Sequence, residues 1–457
     1  MITKKYPEYK DSGVEWIGEI PEHWVTRRIK DCLTFTIGGT PSTKVEEYFE
    51  GDNIWVSIAD INKNNGKYIF DSSIKISDEA IHDSNVKLIK KGSLLYSFKL
   101  SVGLTTFAGC DLYTNEAIAS FEKNEAIDLN YLNYIFQSGF ENNAKENIYG
   151  AKLFNSDLIK FSKFVMPTSL KEQQQIANYL DKQINKINEI IAKDEELIRL
   201  LGEKRVALIN QVVTKGLNPD VAMKYSGVEW IGEIPKHYSI IKLKFLTSKI
   251  GSGKTPKGGS EIYVSEGIPL LRSQNIHFDS IRLDDVVYIT EEINQTMLST
   301  VVKNKDILFN ITGASIGRCN YIEDINIANV NQHVCIIRPN KKIFYKYLNY
   351  FLQSDCGQNQ VFLNQNGTSR EGLNFEDLSN FYIILPKDIK EQKNVVSYLE
   401  KELMRIYMAI NKVKENIQLL EEYKTSLIHH VVTGKIDVRG EKIWVQTLQR
   451  KVSKMIL

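Results

Sequence analysis

Ten consecutive residues, SGVEWIGEIP, occupy positions 12–21 and recur unchanged at 226–235. A histidine and an aromatic follow at the same offset each time, His23-Trp24 and His237-Tyr238. The separation of 214 residues is close to half of the 457-residue chain, so the repeated unit has the size of a domain. Both copies must then fold by the same rules. A doubled domain suits a ligand with two related sites, and a linear polymer is the simplest of these.

The likeness runs on in order. Gly39-Thr40-Pro41-Ser42 is echoed by Lys254-Thr255-Pro256-Lys257, and Ser101-Val102-Gly103 by Ser315-Ile316-Gly317. YLNYIFQS (131–138) matches YLNYFLQS (347–354), LKEQQQIANYL matches IKEQKNVVSYL, and LINQVVTKG (208–216) matches LIHHVVTGK (427–435). Each unit is therefore a globular part followed by a long helical part. In the globular parts, β-branched and aromatic runs such as 53–58 and 306–311 read as strands between turn-forming clusters. The YLNY segments, with Leu132, Ile135 and Phe136 on one side, read as short amphipathic helices. The fold class expected is α/β (α+β), in two copies.

The helical parts carry the clearest periodicity. Ile176, Leu180, Ile184, Ile187, Ile191, Ile198, Leu201, Leu208 and Val212 follow alternating steps of three and four, with Asp194 and Arg205 in the remaining places. The second copy has Val395, Leu399, Leu403, Ile406, Ile410, Val413, Ile417, Leu420, Leu427 and Val431, with Lys424 where the first has Arg205. Such spacing is a coiled-coil seam. Burying each seam residue stabilises by roughly 1.5–3 kcal/mol, so the stripes need a partner, and the obvious one is each other. Connectivity then predicts an antiparallel coiled coil with one globular part at each end. That is a pseudo-two-fold dumbbell whose bar is about 60 Å long. Arg205 and Lys424 either fix the register or contact another protein, or carry their stems past the seam.

Composition limits the alternatives. A net charge of +2 means that any attraction to a polyanion is local or shared with other subunits. The five cysteines form no CxxC pair and read as reduced thiols, with no metal site expected. No apolar run reaches the ~18–20 residues of a membrane span and the N-terminus has no signal-like stretch, so no membrane is expected and the location expected is cytoplasmic.

Together, the duplicated W-IGEIP-x-HW/Y openings, the GGTPS-type loops, the KEQ helix starts and the VVTG-type helix ends resemble the DNA-specificity subunit of type I restriction-modification enzymes. The likeness extends from about Lys5 to Val438. It implies target-recognition domains at 1–168 and 217–387, conserved helices at 169–216 and 388–436, and a basic tail at 437–457 without counterpart in the first half. It also implies partners: double-stranded DNA, two methyltransferase (modification) subunits and restriction/motor subunits. The cofactors S-adenosylmethionine, ATP and Mg would belong to those partner subunits, with none bound by this chain.

Catalytic strings are missing from the sequence. Gly251-Ser252-Gly253-Lys254-Thr255 lacks the first glycine of a phosphate loop, and Pro256 stands where its helix would begin. His429 and His430 point about 100° apart on a helix, which argues against shared metal ligation. The chain is expected to recognise while other subunits do the chemistry.

Base reading uses Arg or Lys on guanine and Asn or Gln on adenine, with phosphates held by cations, hydroxyls and backbone. Predicted loops of the first half offer Thr40, Ser42, Lys44, Asn62, Lys63, Asn64, Asn65, Lys67, Lys99 and Lys152. The second half offers Lys254, Lys257, Arg272, Ser273, Gln274, Asn275, Arg318, Asn331, Gln332, Thr368, Ser369 and Arg370. The blocks 272–275 and 367–370 stand out. The two sets differ, so the half-sites read should differ. The function expected is a sequence-specific subunit for a bipartite asymmetric site. The alternative is a scaffold joining two proteins without binding DNA. The decamer, apolar and acidic, is expected to be structural, with Trp16, Ile17 and Ile20 against the helices.

Overall fold

The computed structural model describes residues 4–64, 66–99, 101–146, 152–324, 327–364 and 372–440. They divide into two compact units, residues 1–194 with 415–457, and residues 195–414. Each unit holds one globular domain together with half of each long helix.

Strand order is the same in both domains. In the first, Phe35–Ile37, Ile118–Phe121, Leu94–Ser97, Thr105–Ala108 and Tyr68–Ile69 lie side by side. In the second, Thr247–Ser252, Val334–Pro339, Ile307–Asn310 and Cys319–Tyr321 repeat that order without the outermost strand. The central strands Leu94–Ser97, Ile118–Phe121 and Ile307–Asn310 are buried throughout because both sheet faces are covered. Leu94 and Tyr96 enter the main core while Leu95 enters a second cluster with Val56 and Ile118; Ile307, Phe309 and Leu308 divide in the same way.

A three-stranded sheet accompanies each large one. Asn53–Val56 pairs parallel with Tyr113–Thr114 and antiparallel with Lys75–Ile76. Ile268–Leu271 does so with Asn329–Val330 and Val287–Ile289. The strand read at 53–58 stops at Val56, because Ser57 caps the helix Ile58–Lys63 through a reciprocal bond with Asp60.

The YLNY segments are helices, Leu129–Gln137 and Tyr345–Gln353, but they are buried nearly all round rather than on one side. The reason is a second neighbour. Tyr131 donates its hydroxyl to Val165 O and to Val432 O on a long helix, and Tyr347 does the same to Ile384 O and Val213 O.

The long helices are Leu170–Lys215 and Ile389–Val432, each unbroken by proline. In the first unit, their halves run antiparallel. Asn416 Nδ2 donates to Asp194 Oδ2 at 2.6 Å at one end, while Glu172 and Gly434 both lie against Trp24 at the other. Ile176, Leu180, Ile187, Ile191, Leu420, Leu427 and Val431 share that unit's core, with Ile184 and Ile417 packed on it. In the second unit, Val212, Val395 and Leu399 are in the core, with Leu208 and Leu403 packed on it. Ile406 and Val413 are buried, while Ile198, Leu201 and Ile410 are half-buried. The seam cations differ: Arg205 binds Phe278 O and Gln353 Oε1 of its own domain, while Lys424 pairs with Glu421 one turn back.

The decamer forms a hairpin edge. Glu19–Pro21 pairs with Tyr9–Asp11, and Ile17 and Ile20 are in the core with Ile428. The Trp16 ring lies 6.4 Å from that of His429. The duplicated His-aromatic pair serves the helix start: Glu172 accepts from Tyr6 Oη, His23 Nε2 and Trp24 Nε1 at 3.0–3.1 Å, and Glu391 meets His237 at 2.9 Å. Burial first, then the Glu172 carboxylate, pushes the Tyr6 phenol far above its ordinary range.

Candidate nucleic-acid interface

Strand order brings four separate loops together at one end of each domain. In the first, the loop after Phe35–Ile37 is tied down by Gly38 N→Ile118 O at 3.3 Å and Gly39 N→Thr114 O at 2.9 Å. The loop after Leu94–Ser97 joins through Phe98 N→Ala117 O at 2.9 Å. Residues 114–117 join the end of the strand Asn53–Val56, which leads into the helix Ile58–Lys63, through Asn115 N→Val56 O at 3.1 Å. The second domain repeats each contact. Gly253 N→Val334 O, Lys254 N→Val330 O, Ile311 N→His333 O and Asn331 N→Leu271 O all lie at 3.0–3.1 Å.

The approach of the first loop demands glycine. A Cβ at Gly38 would stand 2.1 Å from Thr114 O, and one at Gly253 would stand 1.8 Å from Val330 O. The duplicated glycine is therefore a packing requirement rather than part of a phosphate loop. Gly251 and Ser252 end a strand, and Lys254 opens a loop.

In the first domain, Thr40, Ser42, Lys44, Asn62, Lys63 and Lys99 are exposed around this junction. Asn62 and Lys63 ride on the short helix rather than on a loop. Thr40 donates its hydroxyl to Glu116, which together with the nearby Lys99 ammonium holds that carboxyl below its usual range. A fixed carboxylate of this kind can accept from the cytosine amino group. In the second domain, Lys254, Lys257 and Gln332 are exposed, and the half-buried Arg318 makes no side-chain bond among the described residues. His333 stands between Thr312, 2.6 Å from Nδ1, and Gln332, 3.0 Å from Nε2. Asn331 accepts from His333 N, closing its own turn.

Several candidates are held for other work. Asn275 is fully buried, accepting from Arg272 N and donating to Arg282 O and Asp285 Oδ1, so it cannot reach a base. Asn64 closes its turn on Gly66 and Thr106, so its amide is occupied. The Lys67 ammonium pairs with Asp181 on the long helix at 2.9 Å, so its charge is already matched. Arg272 and Gln274 both donate to Asp285, which orders the block 272–275 as a turn, and the Ser273 carbonyl accepts from Asn310. Asn65, Thr368, Ser369 and Arg370, the Lys152 side chain and the tail beyond 440 lie outside the described residues.

Sequence reasoning passed over Asn115, Glu116 and His333. The repeat itself carries the signal: Asn331 and Gln332, less the local offset of 216, are Asn115 and Glu116. Among the described residues, no group of three or more His, Cys, Asp or Glu side chains could hold a metal ion, and no helix is long and apolar enough to cross a membrane. All five cysteines are free, and burial pushes the Cys335 thiol up to about 12.

The type I restriction modification DNA specificity domain family matches this chain in two stretches, residues 21–199 and 236–421. The chain is similar to two specificity subunits of Methanocaldococcus jannaschii type I restriction enzymes. It is 24% identical to that of MjaIX over 94% of this chain and 97% of the relative, and 26% identical to that of MjaVIII over 92% and 95%. A solved chain from work on complex assembly and conformational transition of the type I R-M system superposes with a TM-score of 0.68 at 15% identity. That superposition covers 90% of this chain and 98% of the other, a likeness of fold. With two copies of the family's domain in register with its own internal repeat, the chain belongs to the type I restriction-modification DNA specificity family, whose members are non-catalytic.

Proposed function

We propose that the two loop clusters each read one half of a bipartite, asymmetric duplex site, with domain boundaries at 1–168, 169–216, 217–387, 388–436 and 437–457. The long helices set the gap between half-sites and dock two methyltransferase subunits. Restriction/motor subunits complete the assembly, and the partners bring S-adenosylmethionine, ATP and Mg. The chain works in the cytoplasm, where its DNA is.

One observation carries this reading. Loops on the same strand ends, held by the same backbone bonds, present different side chains at equivalent positions. Glu116 stands against Gln332, Lys99 against Thr312, and Lys44 against Gly259. A duplicated frame with unlike reading groups is what two unlike half-sites require.

Exchanging residues 24–168 for those of a relative and sequencing methylated genomic DNA tests it. One half of the methylated motif is expected to change while the other persists. A motif altered in both halves, or in neither, defeats modular reading. Absence of any salt-dependent DNA binding by the assembled complex favours the scaffold alternative.

A further inference from the structure

The second domain holds a charged cleft at the strand ends opposite its four loops. Residues 303–306 lead into Ile307–Asn310, and residues 340–344 follow Val334–Pro339. With Lys393 of the second long helix, they enclose a cavity of about 590 Å³. That size lies within the ~300–1,000 Å³ of small-ligand sites. Lys303, Lys305, Lys341 and Lys393 line it, and none of them forms an ion pair among the described residues. The one carboxylate in the lining, Asp306, is fully buried and bound at 2.7 Å by both Nε and Nη2 of Arg338. Two rings complete the wall: Lys393 Nζ lies 5.9 Å from the Phe344 ring, and Lys305 Nζ lies 5.9 Å from the Tyr345 ring.

The first domain provides an internal control, because the register between the copies is pinned here. Asn124 and Asn340 each donate to a carbonyl, Cys32 O and Phe245 O, and each accepts from the amide two residues on. Lys341 thus replaces Glu125, and Phe344 replaces Asp128. Asp128 caps its helix by accepting from Asn130 N and Tyr131 N, whereas Phe344 leaves the equivalent helix Tyr345–Gln353 with no side-chain cap. Lys393 replaces Gln174. Lys303 corresponds to Lys90, which is neutralised by Asp111 at 3.0 Å. Lys305 stands where the first domain has Gly92, and both are left-handed, with φ of 75° and 87°. A lysine is disfavoured there and glycine is not. Asn304 for Lys91, Pro339 for Lys123 and Asp306 for Ser93 run the other way. Arg338, however, replaces Glu122 and binds that Asp306, so the balance of the differences is a gain of positive charge at one concave place.

We propose that this cleft binds a small polyphosphate anion, free or carried by a nucleoside. Four unpaired ammonium groups and the uncapped helix end supply the attraction, and the flanking rings can face a base. The site does not depend on the reading of DNA by the loops.

Calorimetric titration of the full chain with sodium tripolyphosphate and with ATP tests the proposal. Saturable one-site binding is expected, weakening as salt rises. The double variant Lys305→Gly/Lys393→Gln should bind at least tenfold more weakly, and Phe344→Asp should abolish binding. Each substitution installs the first domain's residue, and Lys305→Gly relieves the backbone, so its unfolding temperature should hold or rise. Equal affinity for both probes assigns recognition to the phosphates, and tighter ATP binding brings in the rings; either supports the site. No saturable binding of either probe at millimolar concentration overturns it. So does unchanged binding by the variants, or displacement of the probe by non-cognate duplex DNA at equal phosphate concentration.

Discussion

Asp60 and Asn275 occupy the same buried position of the two domains, yet one is an acid and the other an amide. Both reach back to a backbone N–H three residues earlier, Ser57 N and Arg272 N, at 2.9 Å. The difference lies in what faces the rest of the side chain. Asp60 Oδ1 accepts from Ser73 N and Ser73 Oγ, two donors. Asn275 Nδ2 donates to Arg282 O and Asp285 Oδ1, two acceptors. The frame was copied, and each copy then matched its polar contacts to its own inserted segment. The loops beside these residues diverged on a backbone that did not.

Exchanging the two residues is expected to have the largest effect. Asn275→Asp sets a carboxylate against Asp285 in a buried place and is expected to cost about 3–5 kcal/mol in chemical unfolding, because a buried charge is left unpaired. Asp60→Asn turns an amide donor on the Ser73 N–H and is expected to cost about 1–3 kcal/mol. Equal costs would mean that the contacts, rather than the positions, are interchangeable. Acid adds a second readout. Burial raises the Asp60 pKa, but the hydrogen bonds from Ser73 and Ser57 outweigh it, so the carboxyl titrates below its ordinary value. Such a group contributes stability that is present above its unfolded pKa of about 3.9 and is lost as pH falls through the folded value. Wild type should show that loss, and Asp60→Asn should lack it.

The helix-start carboxylates give a second, smaller contrast. Glu172 is 8% exposed and serves three donors, whereas Glu391 is 35% exposed and serves His237. Glu172→Ala is expected to cost about 3 kcal/mol, since it leaves the buried Trp24 N–H and Tyr6 hydroxyl without an acceptor. Glu391→Ala should cost about 1 kcal/mol or less. Similar unfolding midpoints for the two variants would count against the lock in the first unit.

The smallest effects separate a free lysine from a paired one. Lys99→Ala is expected to lower the salt slope of DNA binding by the assembled complex by about 0.9, the loss of one phosphate contact. Lys67→Ala should leave that slope unchanged and shift stability by no more than about 1 kcal/mol, because its partner is Asp181 at the surface. A slope change for Lys67→Ala would return it to the reading face.

Much of the frame was legible because its signals are local. The seam from Ile176 to Val212 is a matter of spacing, and the strand cores at 94–96 and 307–309 are runs of apolar residues. The YLNY helices were placed correctly, but their burial was not. The contact that buries Tyr131 comes from Val432, 301 residues away. For the candidate site, residue type alone could not tell Lys99 from Lys67, or Gln332 from Asn275. Each pair has the same chemistry and a similar loop setting. What distinguishes them is a carboxylate or carbonyl brought in from another segment.

By itself, the sequence determined that this chain is a duplicated pair of α+β domains with two seam-bearing helices, and which family it belongs to. Periodicity and repeated words are properties of neighbours along the chain, and they survive without knowledge of contacts. The tertiary structure alone decided which four loops meet and which of their polar groups remain unpaired. Strand order sets those partnerships, and a buried donor must find its acceptor wherever the fold brings one within reach.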